Sequence, residues 1–325
     1  MITNNFRRIN NTYFVKEGIS GELLDKCFDF IVNQNNYNKN DIEFAFRKNN
    51  LNLIKFSDIF YNEVDIIIKT KLNNDFKFIN ISKSLIFSKY NLLDDKFIDK
   101  INKYKLDDIK FFPKTYISKN TIFQELARGN IFLPNRLIDL KKNLLSKIAI
   151  VINDLSSRNI QSIYVSDLLS KFKLSQIDDP INFKILNKFV LALNKYNKEK
   201  IKIALTHGDL KFEHLFFHNN QLEFVIDWEN VNKRSIFFDT INFFTPWFVK
   251  REYNYLEIKN FIIKFIEEYL PNLRDDIKNK FNIYFLIFAL ERYMRMYESR
   301  SVEFDLGEAF KRYHALFKNL SKELH

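Results

Sequence analysis

Cysteine is nearly missing from this chain: Cys27 is the only one in 325 residues. A lone thiol excludes an intramolecular disulfide and any cysteine-rich zinc site. Glycine and proline are scarce, at five each. The one close glycine pair, Gly18 and Gly21, precedes a helical pattern and reads as a turn rather than a phosphate-binding loop. No apolar run approaches the roughly 20 residues of a membrane span, and no basic-then-apolar leader opens the sequence. The expectation is a cytoplasmic protein with no membrane insertion. A block of basic residues is lacking too. The formal net charge is +11, but Lys and Arg are interleaved with acids, which describes a solvated surface and predicts no nucleic-acid partner.

What is present in quantity is apolar surface. Hydrophobic residues make up 46% of the chain, with 36 phenylalanines, enough for one large core or two lobes. The abundance of Ile, Asn, Lys and Phe fits an AT-rich coding sequence and warns against treating every Asn or Lys as selected. The informative stretch is LTHGDLKFEHLFFHNNQLEFVIDWEN, from Leu205 to Asn230. Leu215 to Phe217 predicts a strand, His218 to Asn220 a turn, and Leu222 to Ile226 a second strand ending on Asp227. That pairing would bring Asp209 and Asp227 to one side with an imidazole, the donor set a metal-bound phosphate requires.

The spacing HGDLKFEH follows the frame of a kinase catalytic loop. There an Asp accepts the acceptor hydroxyl's proton, a residue five places later holds metal, and a second metal-binding Asp follows. With Ile226-Asp227-Trp228-Glu229 after it, the stretch resembles the aminoglycoside phosphotransferase and choline kinase-like branch of the protein kinase-like superfamily. That branch reads H-G-D-x-x-x-x-N, then I-D-W-E or I-D-F-E. The resemblance implies an α+β, two-lobed protein kinase-like fold, with a small β-rich nucleotide lobe over residues 1–126, including an illegible leader over 1–40. A larger, mostly helical catalytic and acceptor lobe would occupy 127–325. It further implies ATP and Mg²⁺, Asp209 as the catalytic base, His207 as a brace of the loop, and Asp227 as metal ligand. Asp239, in FFDTINFF, would tie the loop. His214 stands where the family carries Asn; as a second metal ligand it points to tolerance of Mn²⁺.

Upstream, Tyr13 to Val15 predicts a strand and Glu22 to Val32 a helix. Ile42 to Phe46 alternates and, with Leu51 to Phe56, predicts a β-hairpin; Tyr61 to Lys69 then predicts a helix. A strand Lys followed by a helix Glu is the nucleotide-lobe arrangement of kinases, so Lys55 and Glu63 are the candidate phosphate-contacting pair, with Lys16 as competitor. Asn74 to Asp108 predicts more strand and helix or an insertion. Pro113, Tyr116, Glu125, Leu126 and Gly129 resemble the family's passage into the interlobe hinge. Backbone groups near Gln124 to Leu126, at Glu125 and Leu126, would then meet adenine.

Downstream, Leu140, Leu144, Ile148, Val151 and Leu155 form one helical stripe, and Ile185 to Tyr196 another. Helices are expected over 258–269, 275–297 and 304–324. The aromatics of the middle one and its acids, Glu291 and Glu298, with Glu303 and Asp305, fall where the family shapes its acceptor pocket. The leading function is therefore phosphoryl transfer to a hydroxyl of a sugar, amino alcohol or antibiotic. A silent kinase-like binding module and a protein kinase are the alternatives.

Overall fold

The computed structural model describes residues 2–10, 12–19, 21–35, 38–48, 51–56, 64–69, 76–81, 83, 85–89, 95–118, 121–127, 130–131, 142–172, 180–250, 255–298, 313 and 316–317. In chain order the elements are β1 (Ile2–Arg8), β2 (Tyr13–Lys16), α1 (Gly21–Asn35), α2 (Lys39–Lys48), β3 (Leu51–Phe56), β4 (Ile66–Lys69), β5 (Phe76–Asn80) and β6 (Leu85–Lys89). Next come α3 (Asp95–Tyr104), β7 (Thr115–Ser118), β8 (Thr121–Glu125), β9 (Asn130–Ile131), α4 (Lys142–Ser156), β10 (Gln161–Tyr164), α5 (Val165–Leu169) and α6 (Pro180–Asn194). The remainder comprises β11 (Lys200–Thr206), β12 (Leu215–His218), β13 (Gln221–Val225), β14 (Asn232–Ser235), α7 (Phe238–Lys250), α8 (Tyr255–Tyr269) and α9 (Arg274–Glu298). Two compact units result, one of residues 1–132 with 213–226, the other of residues 133–212 with 227–325.

The first unit is built on an eight-stranded antiparallel sheet of order β3-β1-β2-β4-β5-β6-β8-β7. Its central strand β4 is apolar on both sides. Ile66 joins a cluster with Val15, Cys27, Phe28, Ile31 and Ile42, while Ile67 joins one with Phe6, Val64, Phe78 and Phe123. Burial on both faces explains the unbroken Ile66-Ile67-Ile68 run. The expected helix over 61–69 is therefore corrected: residues 66–69 are a strand, and Glu63 lies outside the described residues. The hairpin β12–β13 turns through Asn219 and Asn220, at φ 47° and 59°. Two left-handed residues between paired His218 and Gln221 suit the right-handed twist of the strands.

The predicted strand over Ile42 to Phe46 is also corrected to helix α2. Asn38 starts it, accepting from Asn40 N–H at 3.0 Å through Oδ1 and from Ile42 N–H at 3.3 Å through its carbonyl. Ile42, Ala45 and Phe46 face the core, and Phe46 meets Phe28 edge-on with ring centroids 5.5 Å apart. Positions i, i+3 and i+4 share a helix face; the short segment satisfied a two-residue period only by coincidence.

The second unit holds a three-stranded sheet, β10-β11-β14, wrapped by helices. α4 packs on β11, and α9 lies against α6, α7 and α8. The stripe Ile148, Val151 and Leu155 is buried, as the spacing predicts. Phe281, Tyr284, Phe285, Phe288 and Tyr293 on α9 are buried as well, interlocking with Phe237, Phe238 and Tyr255 through edge-on contacts. These rings are core. Lys202 fastens α9 to β11, its N–H donating to Tyr284 Oη at 3.0 Å and its Nζ to Asp276 Oδ2 at 2.7 Å. Among the described residues no helix is long and apolar enough to cross a membrane.

Helix α2 separates two substitutions that a hairpin would treat alike. Ile42→Lys should destabilise by roughly 3 kcal/mol or more, whereas Phe44→Lys, at a position 63% exposed, should stay within about 1 kcal/mol of wild type. Equal losses in urea denaturation would restore the strand.

Candidate functional site

Strand β11 descends into the core and releases the chain at His207, whose side chain is fully buried. The loop that follows is held from below by one carboxylate. Asp239, in the first turn of α7, accepts the His207 N–H at 2.6 Å on Oδ2 and the Gly208 N–H at 2.9 Å on Oδ1. Burial pushes the Asp239 carboxyl up to about 6, against the pull of the two amides and of Arg234. His207 Nδ1 accepts the Asp209 N–H at 3.3 Å, and its ring lies 4.7 Å from that of Trp228. Asn242, one helical turn beyond Asp239, donates to the Leu210 carbonyl at 3.4 Å.

Strand pairing explains why Asp227 arrives at the same place. β14 pairs antiparallel with β11, and Thr206 is opposite Asn232. Thr206 Oγ1 also donates to the Asn232 carbonyl at 2.8 Å. Residues just after β11 and just before β14 must then be neighbours, and a carboxylate oxygen of Asp209 lies within 4.8 Å of one of Asp227. Asp227 sits at φ 69°, a left-handed conformation that non-glycine residues rarely hold and that clusters at functional sites. Gly208 has φ 82°, and a Cβ there would run into the Asn230 carbonyl and lie 2.6 Å from Arg234 Nη1. Only glycine fits.

Asp209 itself is buried and surrounded by cations. Lys211 Nζ lies 2.8 Å from Oδ2, and Arg292 Nη1 lies 3.5 Å from Oδ1. Burial raises the Asp209 carboxyl, but Lys211, Arg292 and Arg295 outweigh it and hold the group below the usual carboxylate range. Arg295 Nη1 donates to the Gly208 carbonyl at 2.9 Å. Arg234 donates to Thr206 Oγ1 and to the Asn230 carbonyl, both at 3.0 Å, with its guanidinium 5.0 Å from the Phe238 ring. Sequence reasoning missed Arg292 and Arg295. Their i, i+3 spacing puts them on one face of α9, but nothing in the sequence says which loop that face meets.

The remaining predicted residues fall in the first unit. His214 is buried and ends a 3-10 turn, Phe212–His214, before β12; its carbonyl accepts the Ile226 N–H at 3.0 Å. Lys55 lies on edge strand β3, opposite Thr3. Lys16 ends the interior strand β2, and its N–H donates to the Asp65 carbonyl at 2.9 Å. Glu125 ends β8, and its N–H is taken by the Lys114 carbonyl at 2.8 Å; Leu126 packs against the core. Glu125 also lines a cleft of about 870 Å³ with Asp107, Lys110, Lys114, His218 and Glu223. Among the described residues β3 is followed by strand β4, and residues 57–63, with Glu63, lie outside them, so the strand-then-helix order is not read there. It occurs at β6, which ends on Lys89 and is followed by α3, carrying Asp95 and Asp99.

No family model matches the chain. A DNA-directed RNA polymerase subunit beta of Neospora caninum is 29% identical over 197 residues, 58% of this chain but 16% of that protein. So small a part of the subunit carries no activity over. Among solved structures, a choline kinase from Streptococcus pneumoniae is 17% identical with a TM-score of 0.51, covering 83% of this chain and 93% of its own. An amicoumacin kinase in complex with AMP-PNP, Ca²⁺ and Ami is 13% identical with a TM-score of 0.52, over 81% and 88%. The fold is that of these proteins: protein kinase-like, with a β-rich part and a larger helical part.

Two measurements test the loop and its surroundings. Gly208→Ala should cost about 2 kcal/mol or more, read by urea denaturation; an unchanged midpoint would remove the steric argument. Glu291, on α9, has a buried Oε2 without a hydrogen-bond partner among the described residues. Burial pushes its carboxyl up to about 7, against Arg234 and Lys171. Between the ordinary 4.5 and about 7 the folded chain keeps a proton that the unfolded chain has released, so stability falls as pH rises. Relative to Glu291→Gln, wild type should lose on the order of 3 kcal/mol across that window. Parallel stability–pH curves would contradict this.

Proposed function

We propose that this protein is an ATP-dependent phosphotransferase that moves the γ-phosphate to a hydroxyl of a small molecule. The observation that carries the reading is the approach of the Asp209 and Asp227 carboxylates within 4.8 Å, on a loop fixed by Asp239. Phosphoryl transfer depends mainly on positioning and charge stabilisation, and a rigid loop supplies the first. The fold shared with a choline kinase and an amicoumacin kinase supports the same reaction class.

In this reading Asp209 orients the acceptor hydroxyl. The acceptor oxygen forms a bond to the γ-phosphorus as the bond to the β-phosphate oxygen breaks. The hydroxyl proton passes to Asp209 late in the step and then to solvent, and ADP leaves. His207 does not exchange protons; it fixes the Asp209 backbone. Asp227 would hold a divalent cation beside Asp209. Asp209 Oδ1 accepts no hydrogen bond among the described residues, and carboxylate oxygens suit Mg²⁺. When bound, the cation supplies neutralisation of charge on the phosphate oxygens. In the β-rich unit we assign the phosphate-contacting lysine to Lys89, with an acid of α3 as its support, in place of Lys55 with Glu63. Adenine would meet backbone of the segment after β8, from Leu126 onward, because the Glu125 N–H is already engaged.

The test combines binding and transfer. Asp227→Ala should abolish metal-dependent ATP binding. Asp209→Asn should keep ATP binding within about threefold while lowering transfer by about a hundredfold or more, the scale of losing a positioned base. Lys89→Ala should weaken ATP more than Lys55→Ala. Wild type that binds no nucleotide with Mg²⁺ or Mn²⁺ would end the kinase reading. Metal-dependent binding with no Asp209-dependent transfer to a broad panel of hydroxyl compounds would favour a silent nucleotide-binding module.

A further inference from the structure

Resting on the phosphotransferase reading, we propose that the acceptor is an anionic hydroxyl compound, bearing a carboxylate or phosphate received by Arg292 and Lys211 beside Asp209. The charge around the loop leads there. Lys211, Arg234, Arg292 and Arg295 face three carboxylates, Asp209, Asp227 and Asp239. Two of the cations are committed to structure: Arg295 holds the Gly208 carbonyl, and Arg234 holds Thr206 and Asn230. Lys211 pairs with Asp209 Oδ2 at 2.8 Å but keeps the other donors of its ammonium, and Arg292 is the least engaged. Arg292 reaches Asp209 only at 3.5 Å, and its Nε finds no hydrogen-bond partner among the described residues. The Tyr313 ring lies 5.4 Å from the guanidinium. Side-chain exposure of 15% for Arg292 and 32% for Lys211 leaves both within reach of a small solute.

A guanidinium with unused donors presents a planar fork that matches a carboxylate or phosphate. Nearly buried, it gains a charge-assisted partner when such a group arrives. A cationic acceptor would meet the opposite situation, with like charges beside the base that must receive its hydroxyl. Glu291, the acid on α9 in line to attract a cation, has the buried, partnerless Oε2 and is disfavoured as an anion by its surroundings.

Acceptors matched in size but differing in charge test the proposal. Glycerate and glucose 6-phosphate are the anionic probes, glycerol and glucose the neutral ones, choline and kanamycin the cationic ones. One or both anionic probes should exceed neutral and cationic probes in kcat/KM by about tenfold or more, the scale of one charge-assisted hydrogen bond; which of the two is preferred distinguishes carboxylate from phosphate. Arg292→Gln should raise KM for the anionic acceptor by about tenfold or more beyond any change it makes for a neutral acceptor, and Arg292→Lys should restore part of the loss. Inorganic phosphate should raise the wild-type melting temperature above chloride at equal ionic strength, and Arg292→Gln should remove that excess, a readout needing no turnover. Fastest transfer to choline or kanamycin would overturn the proposal and leave the kinase reading standing. Equal effects of Arg292→Gln on neutral and anionic acceptors would overturn it too. Failure of wild type to bind ATP would overturn both.

Discussion

The two hydrogen bonds from the His207 and Gly208 amides to Asp239 set the geometry on which the rest of the site depends. Each is charge-assisted, and both are buried, so neither amide can exchange its partner for water without a large desolvation cost. They fix the backbone from which the Asp209 side chain projects. The opposing effects at Asp239 are instructive: burial disfavours its charge, while the amides and Arg234 favour it. A core that could be wholly apolar here contains a carboxylate instead. The loop above it is thereby held in a conformation that packing alone would not specify.

Two other constraints act in the same small volume. Pairing of β14 with β11 brings Asp227 beside the loop, and the arginines of α9 reach in from a third direction, one to the Gly208 carbonyl and one to the Asp209 carboxylate. Elements far apart in sequence thus converge on six residues, from Thr206 to Lys211. Helix α9 can do this because its buried aromatics leave its register no freedom: Tyr284 is tied to β11, Phe281 and Phe285 meet Tyr255 of α8, and Phe288 meets Phe238 of α7. Packing energy in the core is what positions charge at the loop.

The sequence made the loop legible and its surroundings much less so. Asp209, Asp227 and Asp239 could be singled out because their spacing is unusual and their residue types carry chemistry. The same holds for β12 and β13, marked by the polar turn between them, and for the stripe of α4, whose period runs over several turns. The first unit was harder. Ile42 to Phe46 is short enough for periods of two and 3.6 to coincide, and only the Asn38 cap and the shared face with Phe28 decide for helix. The run at Ile66 is apolar at successive positions, so it carries no period; burial on both sides of β4 explains it, and that depends on neighbouring strands. A strand lysine followed by a helix acid also occurs at Lys89 of β6 and at α3, an order that the mixed pattern of Asn74 to Asp108 does not display in the sequence. Arg292 and Arg295 escaped notice because arginines on a long helix are ordinary until a tertiary contact gives them a role.

Among the described residues, left-handed backbone is mostly not made by glycine. Lys105, Asn159, Asn219, Asn220 and Asp227 adopt it, beside Gly18, Gly21 and Gly208. Each side chain in that region costs roughly 1–2 kcal/mol, less for Asn and Asp, and part of the cost is offset because the unfolded chain has fewer conformations to lose than one containing glycine. A chain so poor in glycine has in effect sorted its turns by free volume. Around Gly18 and Gly21 a methyl group would meet nothing within 4 Å, whereas at Gly208 it would collide with backbone. Dihedral angle alone does not distinguish the three; the space beside Cα does, and it isolates the position next to Asp209 as the one where an asparagine could never have served.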